Sequence, residues 1–149
     1  MRRFCLSLFV LVAAASSMAA QTPRTIEITA TDDMKFSVTK ITAKPGEVLR
    51  IKLVSKGVIP KVAMAHNFVL LKAGTNAQKF IDAGATERAT DFIAPATRTQ
   101  VIAASRLAGP GETVYVTFKV PAVAGNYTYL CTFSGHFQAG MKGVLTVAK

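Results

Sequence analysis

The run Cys131-Thr132-Phe133-Ser134-Gly135-His136-Phe137-Gln138-Ala139-Gly140-Met141 puts a thiol, an imidazole and a thioether on one short segment near the C-terminus. His66, far upstream, is the only other histidine in the chain. Two imidazoles and a thiolate in a trigonal plane, with a weak axial thioether, are the donor set of a blue-copper centre. His66, Cys131, His136 and Met141 are therefore the expected ligands of one type 1 copper ion. Taken singly, a cysteine is a small buried hydrophobe and a methionine a core filler. Together they use every histidine available. Zinc accounts for the set less well, because structural zinc takes four Cys or His ligands and thioether is a poor zinc donor.

Around this segment the sequence reads as short strands broken by turns. Thr25–Ala30 alternates apolar and polar, as a half-buried strand does, and Phe36–Ile41 continues the pattern. Val48–Val54 follows the Pro45-Gly46 turn. Asn67–Leu71, Thr99–Ala103, Thr113–Val120, Asn126–Cys131 and Gly143–Val147 complete about eight strands, the spacing of an antiparallel sandwich. Asn76–Asp91 differs: Ala, Gln, Lys and Glu favour a helix there, with Asn76 as its N-cap and Gly84 as a weak point. The expected fold is all-β, a Greek-key sandwich with a small helical insertion. Cys131 then sits at a strand end, Gly135 lets the chain turn back, and the loop lies between the last two strands, where a rigid scaffold positions functional groups.

The first twenty residues carry Arg2 and Arg3, then an apolar stretch from Phe4 to Ala15 and small residues around Met18-Ala19-Ala20. This is the pattern of a secretory signal peptide, with the folded domain expected over 21–149. The apolar stretch is short against the ~20 residues a membrane span needs. Removing residues 1–20 lowers the formal charge from +10 to +8 and leaves Cys131 as the sole cysteine. In an oxidising compartment such a thiol needs an occupation, and a metal–sulfur bond supplies one.

Ile59-Pro60-Lys61-Val62-Ala63-Met64-Ala65-His66-Asn67-Phe68-Val69-Leu70 resembles the first copper-ligand segment of azurins. The ending from Cys131 through Met141 to Val147 is similar to the azurin C-terminus, and Val101–Glu112 to the segment after the helical flap. Similarity runs from about Ile26 over nearly the whole remaining chain. The resemblance implies a cupredoxin fold and a soluble one-electron carrier, exported to the periplasm, rather than an enzyme. Three departures are legible. Four residues separate His136 from Met141 where azurins have three, a spacing closer to auracyanins. Ala65 replaces the glycine whose carbonyl approaches copper on the second axial side. One cysteine after cleavage rules out the family disulfide.

The resemblance also implies supporting roles. Asn67 is expected to tie the two ligand segments together, and its backbone N–H and that of Phe133 to reach the Cys131 sulfur, setting the potential. Met34, Met64, Phe137 and Ala139 are expected to ring the His136 edge as an apolar electron-transfer port. Lys35 and Lys61 are read as solvated charges. The expected partners are redox proteins such as cytochromes or copper- or haem-containing oxidoreductases, met by a monomer. Neither nucleic acid binding nor membrane insertion is expected. Copper trafficking or storage is the alternative, but such sites expose soft ligands on Met/His-rich tracts, and the chain has none.

Overall fold

The computed structural model describes residues 21–149, and the expected signal segment, 1–20, lies outside the described residues. Among the described residues nine strands form two sheets: β1 (Arg24–Thr31), β2 (Lys35–Phe36), β3 (Lys40–Ala43), β4 (Val48–Lys56), β5 (Val69–Leu71), β6 (Val101–Ala104), β7 (Thr113–Lys119), β8 (Gly125–Leu130) and β9 (Lys142–Val147). The first sheet has the order β2-β1-β4-β7 and the second β3-β9-β8-β5-β6. One helix, α1 (Ala77–Gly84), is followed by 3-10 turns at Arg88–Thr90 and Pro95–Gln100.

β4 shows why these residues pair as they do. Leu49, Ile51, Leu53 and Ser55 are buried, while Arg50, Lys52, Val54 and Lys56 face outward, which is the period-two alternation of a strand with one wet face. Ile28 and Ala30 of β1 meet this row, and Tyr127, Tyr129, Leu145 and Val147 supply the opposing layer. Full burial of a Leu or Ile side chain contributes about 1.5–3 kcal/mol, so this core carries most of the stability.

Two expectations change. Phe36–Ile41 is not one strand. Phe36 and Val38 are two apart but Ile41 is three beyond Val38, and at that break of phase the chain passes between sheets. Ser37 still bonds Thr29 of the first sheet (N–H to O, 2.9 Å), whereas the Thr39 carbonyl already accepts from Val144 of the second at 2.9 Å. Nor is the sandwich wholly antiparallel: β1 pairs parallel with β4, and β3 with β9. Neither parallel pair joins consecutive strands: β2 and β3 intervene between β1 and β4, and β4 to β8 between β3 and β9.

β5 is buried on both sides. Leu70 enters the central core, while Val69 and Leu71 point the other way, against Phe80, Ile81 and Ile93 of the insertion. Asn76 does cap α1, its Oδ1 accepting from the Lys79 N–H at 3.0 Å. The helix is shorter than expected because it stops at Gly84, where a methyl group would collide with the Phe92 carbonyl. Helix propensity alone would make Gly84→Ala stabilising by ~1 kcal/mol; overpacking reverses the sign, and a loss of about 1–3 kcal/mol is expected. Urea unfolding of the metal-free protein measures it.

Candidate metal centre

His66 precedes β5 and is pinned by backbone bonds to Ala108, N–H to O at 2.9 Å and the reverse at 2.7 Å. Cys131 follows β8, its N–H donating to the Met141 carbonyl at 3.1 Å. Between them the chain closes on itself: the His136 N–H donates to Phe133 O, and the Met141 N–H to His136 O at 2.9 Å. Gly135 turns at φ +82, a conformation L side chains avoid. The result brings one ligand atom each from His66, Cys131 and His136 within 4.8 Å of one another, all buried. Cys131 Sγ and His136 Nδ1 are 3.4 Å apart. The Ala65 carbonyl oxygen lies 3.9 Å from Sγ, and Met141 has no exposure to solvent.

The chemistry of these atoms calls for a cation. His66 Nδ1 is the one buried side-chain nitrogen or oxygen among the described residues without a hydrogen-bond partner, an arrangement that is costly unless something accepts its lone pair. Burial, with the neighbouring His66, holds the His136 imidazolium pKa down to about 4, and burial also lowers that of His66 despite the pull of Asp32. Both rings are therefore neutral donors. Burial drives the Cys131 thiol up to about 12, against backbone N–H bonds from Asn67 and Phe133 that favour the thiolate. A soft cation replacing that proton satisfies sulfur and Nδ1 together.

Residues 24–148 match the family described as copper binding proteins, plastocyanin/azurin family. The chain belongs to this family. It is 33% identical over 135 residues to auracyanin-B of Chloroflexus aurantiacus, covering 89% of this chain and 56% of the relative. To azurin-2 of Alcaligenes xylosoxydans xylosoxydans it is 37% identical over 129 residues, covering 85% and 97%. The structure of dithionite-reduced auracyanin from Roseiflexus castenholzii superposes with a TM-score of 0.75 at 31% identity, covering 87% of this chain and all of the other. This cupredoxin's cofactor is copper, held in a type 1 arrangement by His66, Cys131, His136 and Met141.

Around the ligands this cupredoxin uses Asn67 as expected. Its Oδ1 accepts from the Thr132 N–H at 2.9 Å, and its Nδ2 donates to Thr132 Oγ1 at 2.8 Å. Nothing in the sequence marks Thr132, its partner. With Oγ1 accepting from Asn67, its own proton goes to the Asp91 carbonyl at 2.6 Å, which ties the flap to the ligand loop. Asp91 and Phe92 are both left-handed, φ 55 and 59, and Phe92 packs edge-on against Phe133 at 5.3 Å.

The port expectation needs correction at Phe137. Its ring turns away into the cluster under the flap, with Val69, Leu71 and Leu130, and the Lys142 ammonium lies 4.5 Å from its centroid. His136 itself is only 2% exposed. Met34, Met64 and Ala139 are half-buried. The exposed apolar side chains on the segment leading to His66 are instead Val58 (89%), Ile59 and Val62 (70%), held by bonds from the Val58 and Ile59 N–H groups to Asp32 Oδ2. Lys35 and Lys61 are not simply solvated: Lys35 Nζ donates to the Ala139 carbonyl at 3.1 Å, and Lys61 pairs with Glu112 at 2.8 Å.

The depressed imidazole pKa values set a pH dependence. Between about 6.5 and 4 the unfolded chain takes up protons that folded His136 refuses, so the unfolded state binds more protons and stability falls as pH falls. Urea midpoints of the metal-free protein should drop through this window, and less steeply in His136→Gln.

Proposed function

We propose that this chain is an exported one-electron carrier of the periplasm, acting as a monomer between redox proteins such as cytochromes or copper- or haem-containing oxidoreductases, and not an enzyme. The observation that carries the reading is the buried convergence of one sulfur and two imidazole nitrogens around the unpartnered His66 Nδ1. Copper bound there supplies a one-electron change between Cu(I) and Cu(II). The protein's part is to keep the donors still. Ala108 fixes His66, the Asn67–Thr132 pair fixes the distance between the two ligand segments, and Lys35 holds the Ala139 end of the loop. The Asn67 and Phe133 N–H groups withdraw charge from sulfur, which tunes the potential. Trafficking or storage fits less well, since a donor set closed to solvent hands metal over slowly.

The arginine-led segment 1–20 supports export. Among the described residues no helix is long and apolar enough to cross a membrane.

The visible spectrum of the copper-loaded protein tests the reading: an intense thiolate-to-copper band toward the red is expected, and a colourless, redox-silent protein overturns it. Cys131→Ser should abolish the band while far-UV circular dichroism stays that of the sandwich. Met141→Leu should retain copper and raise the reduction potential, because a thioether donor stabilises Cu(II) more than Cu(I). Voltammetry reads the shift; no change would mean that Met141 is not a working ligand.

A further inference from the structure

The insertion covers only part of the outer face of the second sheet. α1 and Phe137 lie over Val69, Leu71 and Leu130. Beyond this step β8, β9 and β3 are bare, and a cavity of about 780 Å³ runs along them, bounded at the step by Ala77 and Phe137. The pairing registers define its floor. One row reads Lys40, Val144, Thr128 across the three strands, and the next Thr42, Thr146, Asn126. Lys142, beside Leu130, stands where the floor meets the Phe137 wall.

The chemistry of this groove is one-sided. Lys40 and Lys142 line it and no carboxylate does. Neither lysine belongs to an ion pair among the described residues, whereas Lys52, on the outer face of the other sheet, is paired with Glu27. Thr128 in the Lys40 row, and Thr42, Thr146 and Asn126 in the row beyond it, offer neutral hydrogen-bonding groups next to the two charges. Val144, 36% exposed, adds apolar surface, and the largely buried Phe137 ring closes one end.

We propose that this groove is a docking site for an extended, carboxylate-rich segment of a partner protein, separate from the surface over His136. Acidic side chains of the segment meet Lys40 and Lys142, and its backbone lies over the threonines. Two unpaired lysines on a sheet face favour an acidic occupant by charge complementarity, which raises encounter rate and fixes register. Phe137 adjoins the ligand His136 in the chain, so a segment bound here sits one residue from the metal centre. That the partner is a redox protein rests on the electron-carrier reading; the binding itself does not.

The test is titration of ¹⁵N-labelled protein with a capped hexaglutamate peptide at low salt, run in parallel on the Cu(I)-loaded and metal-free forms. Amide shifts should cluster at Lys40, Thr128, Phe137, Lys142, Val144 and Thr146. Lys40→Gln/Lys142→Gln should weaken binding roughly fivefold or more, while Arg50→Gln/Lys119→Gln, an equal change of charge on the other sheet, leaves it within about twofold. All four positions are exposed, and the amide spectra report whether each variant stays folded. Equal weakening by both pairs, shifts spread over the lysines generally, or no binding to the wild type overturns the proposal. Failure of the copper-loaded protein to turn blue on oxidation strikes the carrier reading alone, because the metal-free titration still reports on the groove.

Discussion

A sulfur atom with no contact with water is the constraint around which this fold is arranged. Cys131 is fully buried, and burial alone would keep its proton in place at any ordinary pH. Two backbone N–H groups pull the other way, and the two adjacent imidazoles are neutral, which makes them donors rather than counter-ions. Only a cation completes such a site, and its binding expels the thiol proton. The donors must then be held close together by the protein, since the contact of Cys131 Sγ with His136 Nδ1 leaves His66 Nδ1 without a partner. Ala108 and the Asn67–Thr132 pair do this by joining chain segments that are remote in sequence.

The same requirement explains the flap. Asp91 and Phe92 adopt left-handed backbone conformations that cost roughly 1–2 kcal/mol per residue. In return the Asp91 carbonyl takes the Thr132 proton, and Phe92 packs on Phe133, whose N–H faces the sulfur. Gly84 is part of this arrangement, because only a residue without a side chain lets the Phe92 carbonyl come so near the end of α1. The insertion therefore seals the second sheet and also braces the ligand loop through Thr132. Without it Val69, Leu71 and Leu130 would face water, and the Thr132 hydroxyl proton would lose its acceptor.

Most of the strands and all four copper ligands were legible because they leave local marks: alternation in β1, β4 and β7, and soft donors at fixed spacing. What could not be read depended on tertiary placement. Phe36–Ile41 alternates well enough to pass for a single strand, and only the extra residue between Val38 and Ile41 hints at the passage between sheets. Parallel pairing of β1 with β4 leaves no trace in either strand. Adjacency to His136 does not tell which way Phe137 faces: the imidazole turns toward Cys131 Sγ, whereas the Phe137 ring enters the cluster with Val69 and Leu71. Thr132 looks like any loop threonine until the positions of Asn67 and Asp91 are known. Val58, Ile59 and Val62 are apolar residues left in water, and sequence composition gives no sign of that.

That opposition of His136 and Phe137 has a structural consequence. The imidazole points into the sandwich, toward sulfur, while the ring of the next residue closes the end of the flap's cluster and forms one wall of the groove on β8, β9 and β3. The backbone between them is held at both sides, by the His136 N–H to Phe133 O and by the Gly140 N–H to Phe137 O at 3.0 Å. These bonds fix the backbone on both sides of the His136–Phe137 step, and the ring of His136 is packed 4.8 Å from Phe133 and 4.9 Å from His66. The outer face of the second sheet and the metal centre adjoin at three peptide bonds, Leu130–Cys131, His136–Phe137 and Met141–Lys142, so ligand and outward-facing side chains alternate along the same backbone.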